Sequence, residues 1–198
     1  MLSTLGKKSG IVAAAAALAT APLLTATLTA QAAPAPAPEA KALLSCAMNG
    51  TAQFSPALSG NPMGADTRMA VTGEATECKP AGREAEGVVS ATFKGDLQGQ
   101  MSCTSLPRGV GGDVDITWKY EDGSTKTSTA NFDLSLEGDL TNPSKPAGGA
   151  FTGKTTNGEF ADAQHKGSAQ FDLASAAGGC VAGGLSSLDF AGKYELSQ

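Results

Sequence analysis

From residue 46 onward, apolar and polar positions alternate with a period of two, the pattern of strands that bury one face. The clearest run, 113–121, sets Val114, Ile116, Trp118 and Tyr120 on one side and Asp113, Asp115, Thr117, Lys119 and Glu121 on the other. Asp122-Gly123 supplies a turn. The run 124–137 then returns with Ala130, Phe132, Leu134 and Leu136 facing one way and Asn131, Asp133, Ser135 and Glu137 the other. Further rows are Cys46, Met48, Gly50, Ala52 and Phe54; Met69, Val71, Gly73 and Ala75; and Val89, Ala91, Phe93, Gly95 and Leu97. Near the end come Gly167, Ala169, Phe171 and Leu173, then Leu188, Phe190, Gly192, Tyr194 and Leu196.

With shorter candidates at 98–104 and 150–156, the expectation is an all-β fold, an antiparallel barrel or sandwich of roughly eight to ten strands. No stretch of ten or more residues beyond position 42 repeats apolar residues at helical spacing. The apolar rows mix one or two aromatics with glycine and alanine, which let a strand bend or a neighbouring wall come close, and this leans towards a barrel. The glycine clusters at 109–112, 148–149, 178–179 and 183–184 read as turns or loops, since none is followed by the lysine and helix of a phosphate loop.

The first 42 residues are of another kind. Lys7 and Lys8 precede a continuous apolar run at 11–19, and Ala30-Gln31-Ala32 presents small residues where a signal peptidase reads them. The expectation is a secretory signal peptide at 1–32, cut before Ala33, with an uncleaved anchor as the competing reading because 11–30 is long enough to span a bilayer. The Ala/Pro alternation that follows favours an extended spacer over 33–42, leaving a single domain over 43–198. Without the signal, 12 Lys and Arg stand against 19 Asp and Glu, so nucleic acid and anionic membranes are not expected partners. An extracellular location follows from the signal.

Four cysteines in an exported chain make two disulfides in one of three pairings. Cys46 opens the first expected strand and Cys78 closes the next, which brings both to one end of an antiparallel pair. Cys46 with Cys78 and Cys103 with Cys180 is therefore the preferred arrangement.

The alanine-rich signal and Ala-Pro spacer precede a string running from Cys46 through Gly50-Thr51-Ala52 to Phe54-Ser55-Pro56-Ala57-Leu58. Together with the segments 73–78, 102–106, 116–118 and 158–161, these features resemble small secreted, disulfide-containing β-domain proteins of streptomycete-like actinobacteria. The resemblance extends over most of 46–196. It implies an exported β-domain and carries no active site over.

Catalytic chemistry is sparse. A serine hydrolase needs a histidine beside its nucleophile, and the sole histidine is His165, with no Gly-x-Ser-x-Gly elbow around any serine. His165 shares the parity of Phe171 and is expected at a rim or turn, with a catalytic role as the competing reading, and it also stands as a candidate ligand-binding residue. Asp113 and Asp115 lie two apart on one strand face, a candidate metal pair or hydrolase carboxylate pair, although the plainer reading is a solvated face. Trp118 and Tyr120 face inward and are candidate ligand-binding residues in a roomy barrel, or core filler. Phe160, within the expected loop 157–164, is placed to cap one end. The segment Cys103-Thr104-Ser105-Leu106-Pro107-Arg108 has the composition of an exposed inhibitory loop.

No motif calls for a cofactor. The leading expectation is thus a non-catalytic module that binds an extracellular protein or a cell-envelope component. The alternatives are a small apolar-ligand carrier with its site near Trp118, and a carboxylate-dependent hydrolase.

Overall fold

The computed structural model describes residues 40–198 apart from Pro107, Pro143 and Lys145. The expected signal peptide, and the spacer as far as residue 39, lie outside these residues. Eight strands pair antiparallel in chain order, and the last closes on the first: β1 (Ala42–Leu58), β2 (Ala65–Pro80), β3 (Val88–Met101), β4 (Arg108–Tyr120), β5 (Thr125–Glu137), β6 (Gly148–Gly158), β7 (Gln164–Phe171) and β8 (Leu185–Ser197). The result is a closed up-and-down barrel, not a sandwich. Closure pairs every strand on both sides, so no free edge remains to recruit another chain.

The inward rows match the alternation of the sequence with two exceptions. At the start of β3 the register shifts between Val88 and Ser90, so Val88 is buried and Val89 turns outward, 37% exposed. Leu173 leaves the β7 row and begins α1 (Leu173–Val181), a helix capped by the Asp172 carboxylate accepting from the Ala174 N–H at 3.0 Å. Helical spacing did not announce a nine-residue element carrying Gly178 and Gly179. Only the cluster at Gly183 and Gly184 lies in a turn, because 109–112 belong to β4 and 148–149 to β6.

Small inward residues are matched to large ones by strand register. Gly50 lies directly opposite Phe190, Gly73 opposite Phe93, Gly153 opposite Phe132 and Gly167 opposite Phe151. Each ring lies across the bare backbone of its partner, the device by which an aromatic covers a strand glycine. A Cβ on Gly50 would stand 2.7 Å from Phe190, and one on Gly153 2.8 Å from Phe132.

Each end of the barrel carries a disulfide. Disulfides join Cys46 to Cys78 and Cys103 to Cys180. A bulge at Glu77, whose φ is 52°, reverses the alternation of β2 so that Cys78 meets the inward Cys46. At the opposite, upper end Cys103 is a hub. Its N–H donates to Ser59 O at 2.9 Å, its carbonyl accepts from Leu140 N–H at 2.9 Å, and its sulfur holds Cys180 in α1. All four upper connections thereby meet at one residue. Leu106, expected on an exposed inhibitory loop, is instead buried in this lid.

Candidate functional site

Between the two ends, Phe93, Leu134, Phe151, Ala169, Phe171 and Phe190 point inward yet keep part of their surface uncovered. They line a cavity of about 110 Å³ together with Met48, Met69, Val71, Val114, Trp118, Leu136 and Tyr194. The vacancy follows from the sequence. An eight-stranded barrel has just enough interior for its own side chains, and here glycine or alanine occupies inward positions on most strands.

The lower boundary of the cavity is polar underneath and apolar on top. Trp118 is fully buried and donates its indole N–H to Ser128 Oγ at 2.8 Å, and Ser128 in turn donates to the Glu159 carbonyl. His165 lies between Tyr194, whose hydroxyl is 2.7 Å from Nδ1, and Thr155, whose hydroxyl is 2.7 Å from Nε2. A neutral imidazole carries one N–H, so it donates to one hydroxyl and accepts from the other. Burial holds the His165 pKa down to about 4 and pushes the Tyr194 hydroxyl up. Phe160 stands edge-on to Trp118 with ring centroids 5.0 Å apart, closing the lower end.

No buried side-chain polar atom among the described residues lacks a hydrogen-bond partner. The cavity therefore offers a guest dispersion and ring contacts and no free polar partner.

The sequence candidates separate in space. Trp118 lines the cavity. Tyr120, two residues on, does not: its hydroxyl donates to Glu159 Oε1 at 2.9 Å, and Lys126 pairs with the same carboxylate at 2.9 Å while lying 4.9 Å over the tyrosine ring. Partial burial and then Glu159 raise the Tyr120 pKa, so it stays protonated as a clamp on the lower rim. His165 is not a rim or turn residue. It is 1% exposed with both ring nitrogens engaged, and it braces Tyr194 from outside the lining.

Asp113 and Asp115 lie on the outer wall, where Asn131 Nδ2 donates to the first at 2.9 Å and Thr129 Oγ1 to the second at 3.0 Å. No group of three or more metal-ligating side chains occurs among the described residues, so the two carboxylates gain no third ligand there. Sequence reasoning missed Ser128 and Thr155, whose inward parity was available but whose partners lie on other strands. The uncovered Phe93 and Phe190 were legible as inward residues, though not as cavity walls, whereas Phe151 lay in a short candidate strand with no face assigned.

The outer wall is dominated by threonine and charge, and the large exposed apolar side chains among the described residues are Met63, Val89 and Val181, on separate elements. Such a wall lacks the apolar belt of a barrel that spans a membrane. No described helix is long and apolar enough to cross one. No protein-family model matches the chain, and neither a curated protein nor a solved structure is significantly similar to it.

Proposed function

We propose that the protein binds one small apolar molecule inside its barrel, as an exported carrier or sensor and not as an enzyme. The observation that carries this reading is the apolar cavity against Trp118. Apolar cavities of roughly 150 Å³ in other proteins stay dry and take up benzene-sized guests. A cavity of about 110 Å³ suits a guest of one small ring, uncharged and without hydrogen-bonding groups. Two disulfides fit the oxidising environment that export would provide. The partner-binding alternative has less support, because the large exposed apolar residues are scattered and not gathered into a patch.

Trp118 is the sole tryptophan, which makes the test direct. Iodobenzene entering the cavity quenches Trp118 fluorescence by its heavy atom, saturably. Toluene, which does not quench, displaces it and raises the melting temperature in proportion to the logarithm of its concentration. Replacing Ala169, which keeps open space beside it, by phenylalanine fills the cavity and abolishes both effects. Quenching that never saturates, or that survives in Ala169→Phe, would overturn the reading.

A further inference from the structure

The guest needs a way in, and each end of the barrel is braced. The lower end is held by Trp118, Ser128 and the Glu159 carbonyl, and by Tyr194, His165 and Thr155. The upper end is held by the Cys103 hub. Three seams of the wall are unbroken ladders, and four others carry a single shift of one residue near a strand end.

One seam differs. Between β1 and β8, Gln53 pairs with Ser187, and the next pair is Leu58 with Leu185. Four residues of β1, Phe54 to Ala57, thus lie opposite Ser186 alone. Within this lapse Pro56 has no N–H to give, and Ser55, Pro56 and Ala57 are exposed. A surface groove lies there, lined by Gln53, Phe54, Ser55, Arg68, Ala70, Ser186 and Ser187.

Phe54 links this groove to the interior. It lines the groove, is only 7% exposed, and pairs directly with Met69, which lines the cavity. Ala52, one step along the same inward row, lines the cavity too. Phe54 and its partner Met69 together stand between groove and cavity at this point, in a wall with few cross-strand hydrogen bonds to break.

We infer that the β1–β8 lapse is the entrance to the cavity and that Phe54 is its gate. This rests on the reading of the cavity as a ligand site. Rotation of the Phe54 side chain admits the guest between β1 and β8, while the hydrogen-bonded floor and the disulfide-held lid stay closed.

Stopped-flow quenching of Trp118 by iodobenzene tests this, with dissociation followed by displacement with toluene. Phe54→Ala is expected to raise association and dissociation rates together, at least tenfold, with the equilibrium constant changed less than about threefold because Phe54 does not line the cavity. Leu140→Ala, a comparable truncation in the lid, is expected to lower the melting temperature and leave both rates within about twofold. Ser187→Phe adds a ring to the exposed side of the groove without touching the core. It is expected to slow both rates at least fivefold, and it decides the matter alone if Phe54→Ala does not fold.

Rates unchanged in Phe54→Ala and Ser187→Phe, or accelerated only by Leu140→Ala, would overturn the gate while leaving the ligand site intact. Absence of saturable quenching in the unaltered protein would instead remove the ligand site itself, and the gate with it.

Discussion

Phe93 lies over Gly73, its direct partner on the neighbouring strand, so closely that a Cβ on the glycine would stand 2.5 Å from the tip of the ring. Backbone from β1 crowds the same position, with the Cα of Gly50 at 2.9 Å. Gly73→Ala must therefore displace a ring and part of a strand, and overpacking of this kind costs about 1–3 kcal/mol. Gly178 in α1 has open space where a Cβ would go, so Gly178→Ala should instead stabilise by about 0.5–1 kcal/mol through the helix preference of alanine. Urea midpoints moving in opposite directions for the two variants would bear out the distinction, and a shared direction would count against it.

The hydroxyl of Ser128 is the acceptor for the buried Trp118 N–H. Ser128→Ala keeps the rings in place and leaves that donor unpaired where water does not reach. The expected loss is about 1–3 kcal/mol. Iodobenzene quenching in this variant should persist, since the apolar face of the indole is unaltered. A variant as stable as the parent would show that the indole finds another acceptor.

Acid should weaken the barrel through His165. Its pKa in the folded state is about 4, against about 6.5 in an unfolded chain. Between those values the unfolded state takes up a proton that the folded state refuses, so stability declines as the pH falls from 6.5 to 4 and this loss is complete below about 4. Over the whole window it amounts to about 3 kcal/mol. His165→Asn lowers stability at every pH by disturbing Tyr194 and Thr155, but it should lose less than the parent between pH 7 and pH 4.5. Chemical denaturation at the two pH values measures the difference. Equal losses would show that His165 does not titrate in this way.

Much of the fold was legible because alternation states which side of a strand faces inward, and the rows from Met48 to Phe54 and from Leu188 to Leu196 needed nothing more. Placement across strands was not legible. Whether Phe93 meets Gly73 or a neighbour depends on register, which turn lengths and bulges set jointly. The same limit hid the cavity, since a row of inward residues does not reveal whether the facing rows fill the space between them. Simple alternation also puts Cys78 on the outer face, and only the bulge at Glu77 brings it to Cys46. His165 had the correct parity but an expected rim position, because Tyr194 and Thr155, which make its burial tolerable, reach it from β8 and β6.

Removing a disulfide should separate two roles. Cys46–Cys78 spans 32 residues and Cys103–Cys180 spans 77, so by loop closure each contributes about 4 kcal/mol. Cys103 also carries the hydrogen bonds to Ser59 and Leu140. The Cys103→Ser, Cys180→Ser pair should accordingly speed amide hydrogen exchange at Leu140 at the upper end, while the Cys46→Ala, Cys78→Ala pair leaves exchange there unchanged. Identical exchange at Leu140 in both would remove the hub role.

Lys41 and Gln198 exchange two backbone hydrogen bonds, at 2.7 and 2.8 Å, because β1 and β8 are neighbours in the closed wall. The first strand of the barrel is thus completed only by its eighth, and until β8 emerges β1 carries an open edge. The same adjacency sets Lys41 and Gln198, which bound the barrel in sequence, side by side. A permuted chain that runs from Gln198 through a short linker into Lys41, and opens instead at the Asp122-Gly123 turn, would keep every rung of the wall. Its seam would move from beside the Phe54 lapse to the hairpin that holds Trp118 and Ser128.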